Sequence, residues 1–179
     1  MSRTIERLQA DHREFLRVLA HMESAMDNCL QGEEIDRPLM REFVEYCSGH
    51  ADTFHHPLED QLFRCLLARD PQLAPVIRRL EQEHLELRWA TRDLREMLDE
   101  MQARELVRRD RFLEAMGEYL GLYFHHIQSE EKELFIHARR LLTAEDNTWL
   151  DGWLNQAPET NFGHSEALPR LGAVIQAEA

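Results

Sequence analysis

Chain breakers are scarce in this sequence. Only 7 glycines and 6 prolines punctuate 179 residues, too few for the turn-dense connections of a β-sandwich or barrel, and the many Leu, Glu, Arg and Ala favour long helices. Cysteine is equally sparse. Cys29, Cys47 and Cys65 form no C-x-x-C pair, and the last two, 18 positions apart, stand about 27 Å from each other along one helix, so those two do not bridge. Lone thiols in an odd number fit a reducing cytosol, and the expected location is cytoplasmic. No apolar run approaches the length of a membrane span, and the opening Met-Ser-Arg-Thr-Ile-Glu-Arg lacks the apolar core of a signal peptide. Positive charge is also short: 21 Lys and Arg face 34 Asp and Glu, a net charge of −13 with histidine neutral. Such a surface repels phosphate backbones and anionic lipid, so neither nucleic acid nor a membrane is an expected partner. No Gly-rich phosphate loop and no Ser-His-Asp arrangement competes for a function.

What the chain does have is helical period. Apolar residues recur in steps of three and four over roughly 3–28, 37–68, 71–103 and 109–142. Gln31-Gly32 breaks the first stretch, Asp36 and Pro38 open the second, and Asp70-Pro71 opens the third. The last break, near 104–110, has neither glycine nor proline. Short connections make neighbouring helices antiparallel. The predicted fold is therefore all-α, an up-down-up-down four-helix bundle over residues 1–142 with a short helical and irregular C-terminal tail over 143–179. In the tail, Thr143 to Asp146 reads as a helix start. Trp149, Leu150, Trp153 and Leu154 then make a short amphipathic helix that docks on the bundle, with both tryptophans as packing residues. Beyond Pro158 the chain reads as irregular.

Ten histidines are many for this length. His12, His84 and His126 lie on the apolar stripes of the first, third and fourth helices, and His55 flanks that of the second. Counted from the helix ends, His12, His55, His84 and His126 reach one level of an antiparallel bundle to within about 3–4 Å. Glu59 and Glu130 each follow an inward histidine by four residues and so share its face. A buried carboxylate costs several kcal/mol unless paired or metal-bound, and two of them beside four histidines need a common partner. A pair of cations meets that need, and imidazole with carboxylate suits iron, zinc or manganese rather than calcium. The predicted metal ligands are His12, His55, Glu59, His84, His126 and Glu130. His21, His50, His56, His125, His137 and His164 point elsewhere by the same geometry and are expected at the surface or behind the ligands, with His125 kept as an alternative to His126. Asp60 and Glu131 read as solvated charges, and Cys47 and Cys65 as small core residues. Tyr119 and Tyr123 read as core, with hydrogen bonding beside a metal as the sharper option. Phe54-His55-His56 and Phe124-His125-His126 form an internal echo, each preceding a carboxylate pair and a Leu-Phe.

Asp11-His12, His55-His56-Pro-Leu-Glu59-Asp60, Glu83-His84 and His126-Ile-Gln-Ser-Glu130-Glu131 together resemble the pattern of the hemerythrin-like, or HHE cation-binding, domains over about residues 3–142. The resemblance implies two oxo- or hydroxo-bridged irons inside the bundle, His12 and His55 on one, His84 and His126 on the other, with Glu59 and Glu130 bridging. Zinc and manganese rank behind iron. The oxygen-carrying members have a fifth histidine in an H-x-x-x-H motif on the third helix. Here the position four after His84 is Arg88, which cannot ligate a metal. The expected function is non-haem di-iron binding of, or reaction with, O2, peroxide or nitric oxide, in sensing, stress protection or iron handling, with turnover left open. Three alternatives stand beside it: a metal-free helical interaction module, a zinc-structured one, and a ferritin-like carboxylate enzyme. The last wants two Glu-x-x-His motifs, of which only Glu81 to His84 is present.

Overall fold

The computed structural model describes residues 2–102, 109–155 and 168–177. Helix α1 (Arg3–Leu30) stops where Gly32 takes φ 111°, a left-handed conformation that costs glycine nothing. Helix α2 (Arg37–Tyr46) starts on Asp36, whose carboxylate accepts the Leu39 N–H at 3.1 Å, with Pro38 in the first turn. A π-helical stretch over Cys47–His55 follows, and then α3 (His56–Arg69). The single regular helix expected over 37–68 is thus three joined pieces. Pro57 supplies the reason: it has no N–H to return to Thr53, its ring crowds that carbonyl, and wider turns before it relieve the crowding.

Asp70 caps a one-turn 3-10 segment, Pro71–Leu73, that leads into α4 (Ala74–Gln102). The break expected near 104–110 lies largely on 103–108, outside the described residues. The fourth rod is α5 (Arg109–Ser129), a π-helical turn over Glu130–Leu134, and α6 (Phe135–Leu141).

Helix α7 (Ala144–Leu154) begins on a reciprocal cap: Asp146 N–H donates to Thr143 Oγ1, and Thr143 N–H donates to the Asp146 carboxylate. Its anchor is Leu150, fully buried, while Trp149 is 50% exposed, so only Trp153 of the two tryptophans packs against the core. The irregular end expected after Pro158 needs correction as well. Pro169–Ala177 is a helix, α8, with Leu168 and Leu171 buried in the core. Its free first-turn N–H groups, those of Arg170 and Leu171, donate to Glu42 Oε2 at 2.8 and 2.9 Å.

Two apolar clusters fill the interior. One gathers Phe15, Met22, Phe43, Leu94, Phe112 and Tyr119, the other Leu8, Leu58, Leu62, Leu80, Leu134 and Phe135. Each such side chain contributes about 1.5–3 kcal/mol by leaving water. His12, between Leu8 and Phe15 on α1, lies at the seam, and the other inward polar groups join it there. Among the described residues there is no strand, and no helix long and apolar enough to cross a membrane.

Candidate metal centre

Four rods each send at least one imidazole to the seam. His12 from α1, His55 and His56 at the junction into α3, His84 from α4 and His126 from α5 are all 3% exposed or less, and Glu59 and Glu130 are fully buried. The donor atoms fall into two groups, each within 4.8 Å: His12, His55, Glu59 and Glu130, and His56, Glu59, His84 and His126. Glu59 belongs to both. Its Oε1 stands 3.1 Å from His12 Nε2 and 3.0 Å from His55 Nε2, while its Oε2 faces His84 Nε2 at 3.4 Å. Glu130 spans the groups too, with Oε2 at 3.2 Å from His12 Nε2 and 3.5 Å from His126 Nε2, and Oε1 at 3.7 Å from His84 Nε2.

The outer nitrogen of four of these rings is tied down. The Nδ1–H of His12 donates to Glu131 at 3.0 Å, that of His55 to Asp11 at 3.2 Å, that of His84 to Asp60 at 3.0 Å and that of His126 to Glu83 at 2.9 Å. The carboxylates are held in turn, Asp11 by Arg7 at 2.9 Å, Glu83 by Arg79 at 3.0 Å and Glu131 by Gln9 at 2.7 Å. Aromatic faces complete the clamp: His12 stacks on Phe135 and His84 on Phe63. A neutral imidazole that donates from Nδ1 has only a lone pair at Nε2. Four such lone pairs therefore face carboxylate oxygens, acceptor against acceptor.

That arrangement needs protons or cations between the facing atoms. In the metal-free chain it is protons. Burial favours the neutral ring of His12, but the carboxylates of Glu130, Glu131 and Glu59 close around it outweigh that and hold its pKa well above the histidine value. His55 and His84 are raised in the same way against their burial, by Glu59 and Asp11 and by Asp60, Glu130 and Glu59. Burial pushes Glu59 up, and His55, His12 and His84 pull it well below the usual carboxylate range. Burial and the neighbouring His84 keep His56 neutral.

Cations fit better. His56 Nδ1 and Nε2, His84 Nε2, His126 Nε2, Glu59 Oε2 and both Glu130 oxygens have no hydrogen-bond partner, an expensive state for buried polar atoms. Ligand atoms about 2.1 Å from one ion and about a right angle apart stand about 3 Å from each other, which is the spacing of Glu59 Oε1 from its two histidines. Nitrogen-rich donors with carboxylates suit a transition metal, and a carboxylate behind each imidazole is how proteins orient metal-binding histidine.

The structure brings together all six residues expected from the sequence, and it corrects their surroundings. Asp60 and Glu131 are hydrogen-bonded behind His84 and His12 rather than merely solvated. His56, expected at the surface or behind the ligands, lies buried inside the cage, whereas His50 is buried behind it, 3.6 Å from the Asp11 carboxylate that backs His55. His56 had a signal, since it precedes Glu59 by three residues and three-apart positions are helix neighbours. His125 is exposed, His21 and His137 are half-buried, and none of them reaches the cage; His164 lies outside the described residues. Tyr119 accepts from Thr91 Oγ1 at 3.0 Å, while the buried Tyr123 hydroxyl has no partner and its ring lies 6.1 Å from that of His56. Cys29 and Cys47 are buried free thiols, Cys65 a half-buried one. A cavity of about 820 Å³ between α1 and α5 shares no residue with the cage.

The family model described as the hemerythrin HHE cation-binding domain matches residues 3–138. No curated protein and no solved structure matches the chain.

Proposed function

This chain belongs to the hemerythrin HHE cation-binding domain family, and we propose that its cage holds two bridged irons on His12, His55, Glu59, His84, His126 and Glu130. The observation that carries the reading is that four inward Nε2 atoms crowd the Glu59 and Glu130 oxygens, with those of His84 and His126, Glu59 Oε2 and both Glu130 oxygens lacking partners, while each of the four Nδ1 atoms is fastened from behind. Bound irons supply a redox couple and open positions for a small ligand. The residues do the rest. Glu59 and Glu130 set the separation of the two ions, Asp11, Asp60, Glu83 and Glu131 fix the ring orientations, and the apolar clusters on either side keep bulk water out.

On this reading the protein binds or reacts with O2, peroxide or nitric oxide, in sensing, stress protection or iron handling. The free thiols support a reducing, cytoplasmic setting. We infer further that the four rods run up-down-up-down. Pairing of Arg41 with Asp99 and of Asp60 with His84 supports opposed second and third rods, and pairing of Thr91 with Tyr119 and of Arg79 with Glu133 supports opposed third and fourth rods.

Anaerobic titration of the iron-loaded chain tests the function. A saturable optical change at a fixed ratio of nitric oxide, O2 or peroxide to protein is expected. A loaded chain whose spectrum responds to none of the three contradicts the proposal, and a chain that retains only zinc and is redox-silent makes the cage structural.

A further inference from the structure

We propose that His56 is a third nitrogen ligand to the ion held by His84 and His126, so that the two irons are inequivalent. The inference rests on the metal-binding reading above and goes beyond its six residues.

His56 is 1% exposed, and neither ring nitrogen has a hydrogen-bond partner. Among the buried imidazoles it is the one with both nitrogens unsatisfied. A ring in that state has lost its water without replacement, and the inward donors beside it offer a reason. Its ring centroid lies 4.3 Å from that of His84 and 5.6 Å from that of His126, and it shares one donor group with both and with Glu59.

The side chains behind it repeat the pattern of the other four rings at longer range. Asp52 Oδ1 stands 3.5 Å from His56 Nδ1, and Arg88 Nε stands 3.9 Å from that same carboxylate oxygen. Arg88 occupies the place where an H-x-x-x-H motif would put a histidine. It does not ligate, but it pairs with the carboxylate that backs a histidine arriving from the neighbouring rod.

Counting donors then gives the asymmetry. His56, His84 and His126 with the two bridging carboxylates make five protein ligands, whereas His12 and His55 with the same bridges make four.

Two measurements test this. Mössbauer spectra of the iron-loaded wild-type chain should show two quadrupole doublets of equal area and unequal splitting; one doublet overturns the inequivalence. His56→Gln and His56→Ala should bind the second iron at least ~10-fold more weakly in chelator competition, the size of effect that loss of an outer-shell partner alone already produces. Their circular dichroism should remain that of the wild type. Folded variants with two irons at wild-type affinity and unchanged doublets overturn the assignment of His56 and leave the six-residue site standing. A wild-type chain that takes up no iron at all overturns both.

Discussion

The chain carries the same tripeptide twice and uses it differently. In Phe54-His55-His56 both histidines are buried in the cage, whereas in Phe124-His125-His126 only the second is, and His125 faces solvent. Each pair is followed by a carboxylate pair, but at a different lag. Glu59 is four residues after His55 and three after His56, so both are its helix neighbours, while Glu130 is four after His126 and five after His125. The backbone differs as well. The wide π-helical turns run up to and include the first histidine of the pair in the second rod, at Cys47–His55, and come after the pair in the fourth, at Glu130–Leu134. Wider turns carry more residues per revolution, so consecutive side chains stand closer together around the axis. The lesson is that spacing alone does not assign a histidine; the hydrogen-bond pattern of the turn it closes decides which neighbours reach inward.

That contrast breaks most visibly at the shared carboxylates. Glu59→Ala removes the oxygens that both donor groups use, and both ions should be lost, with affinity falling by more than the ~100-fold that loss of an outer partner costs. Retention within about tenfold in chelator competition argues against a bridging role.

The outer carboxylates come next. Asp60→Ala and Glu131→Ala should each weaken iron binding by about 10–100-fold, because the rings of His84 and His12 lose the acceptor that fixes them. Unchanged affinity returns both residues to the solvated role their sequence context implies.

A smaller effect follows from pH. In the metal-free chain His12, His55 and His84 titrate above the ordinary histidine value of 6.5. Their stabilisation is complete below that pH and fades as pH rises through the raised values. Glu59, Glu83 and Glu131 titrate below the ordinary 4.5, so theirs is complete above it and fades as pH falls. The metal-free Tm should therefore peak between these two values and drop on the alkaline side by about 2–4 °C per kcal/mol lost. Metal replaces protons at Nε2, so the gain in Tm on loading should grow with pH. A gain that shrinks as pH rises contradicts the shared use of those nitrogens.

The smallest effect sharpens the contrast from the other side. His125→Ala should leave iron content unchanged and alter stability by no more than ~0.5 kcal/mol, read from metal analysis and a thermal melt. Loss of iron in this variant gives His125 the role assigned to His126.

Much of this was legible in the residues. Helical period and the caps at Asp36, Asp70 and Thr143 locate the rods, and the common level of His12, His55, His84 and His126 draws attention to one place in the bundle. The remainder depends on information that pattern does not contain. Interruption of α-helical turns before Pro57 shifts face assignments that assume one regular helix, which is why His56 reads as an outward residue. Asp60 and Glu131 look like surface charges until the ring behind which each sits is known. Helix α8 takes its cap from Glu42, far away in the chain, which leaves Pro169 at its first position as the local signal.

The central claim is that the cage holds two irons, and elemental analysis with an optical spectrum tests it most directly, on protein purified without added metal and without chelator. The account predicts about two irons per chain and near-ultraviolet charge-transfer absorption. A colourless, metal-free chain that still melts cooperatively and takes up no iron on reconstitution contradicts it, and leaves a helical bundle whose buried histidines are held by protons alone.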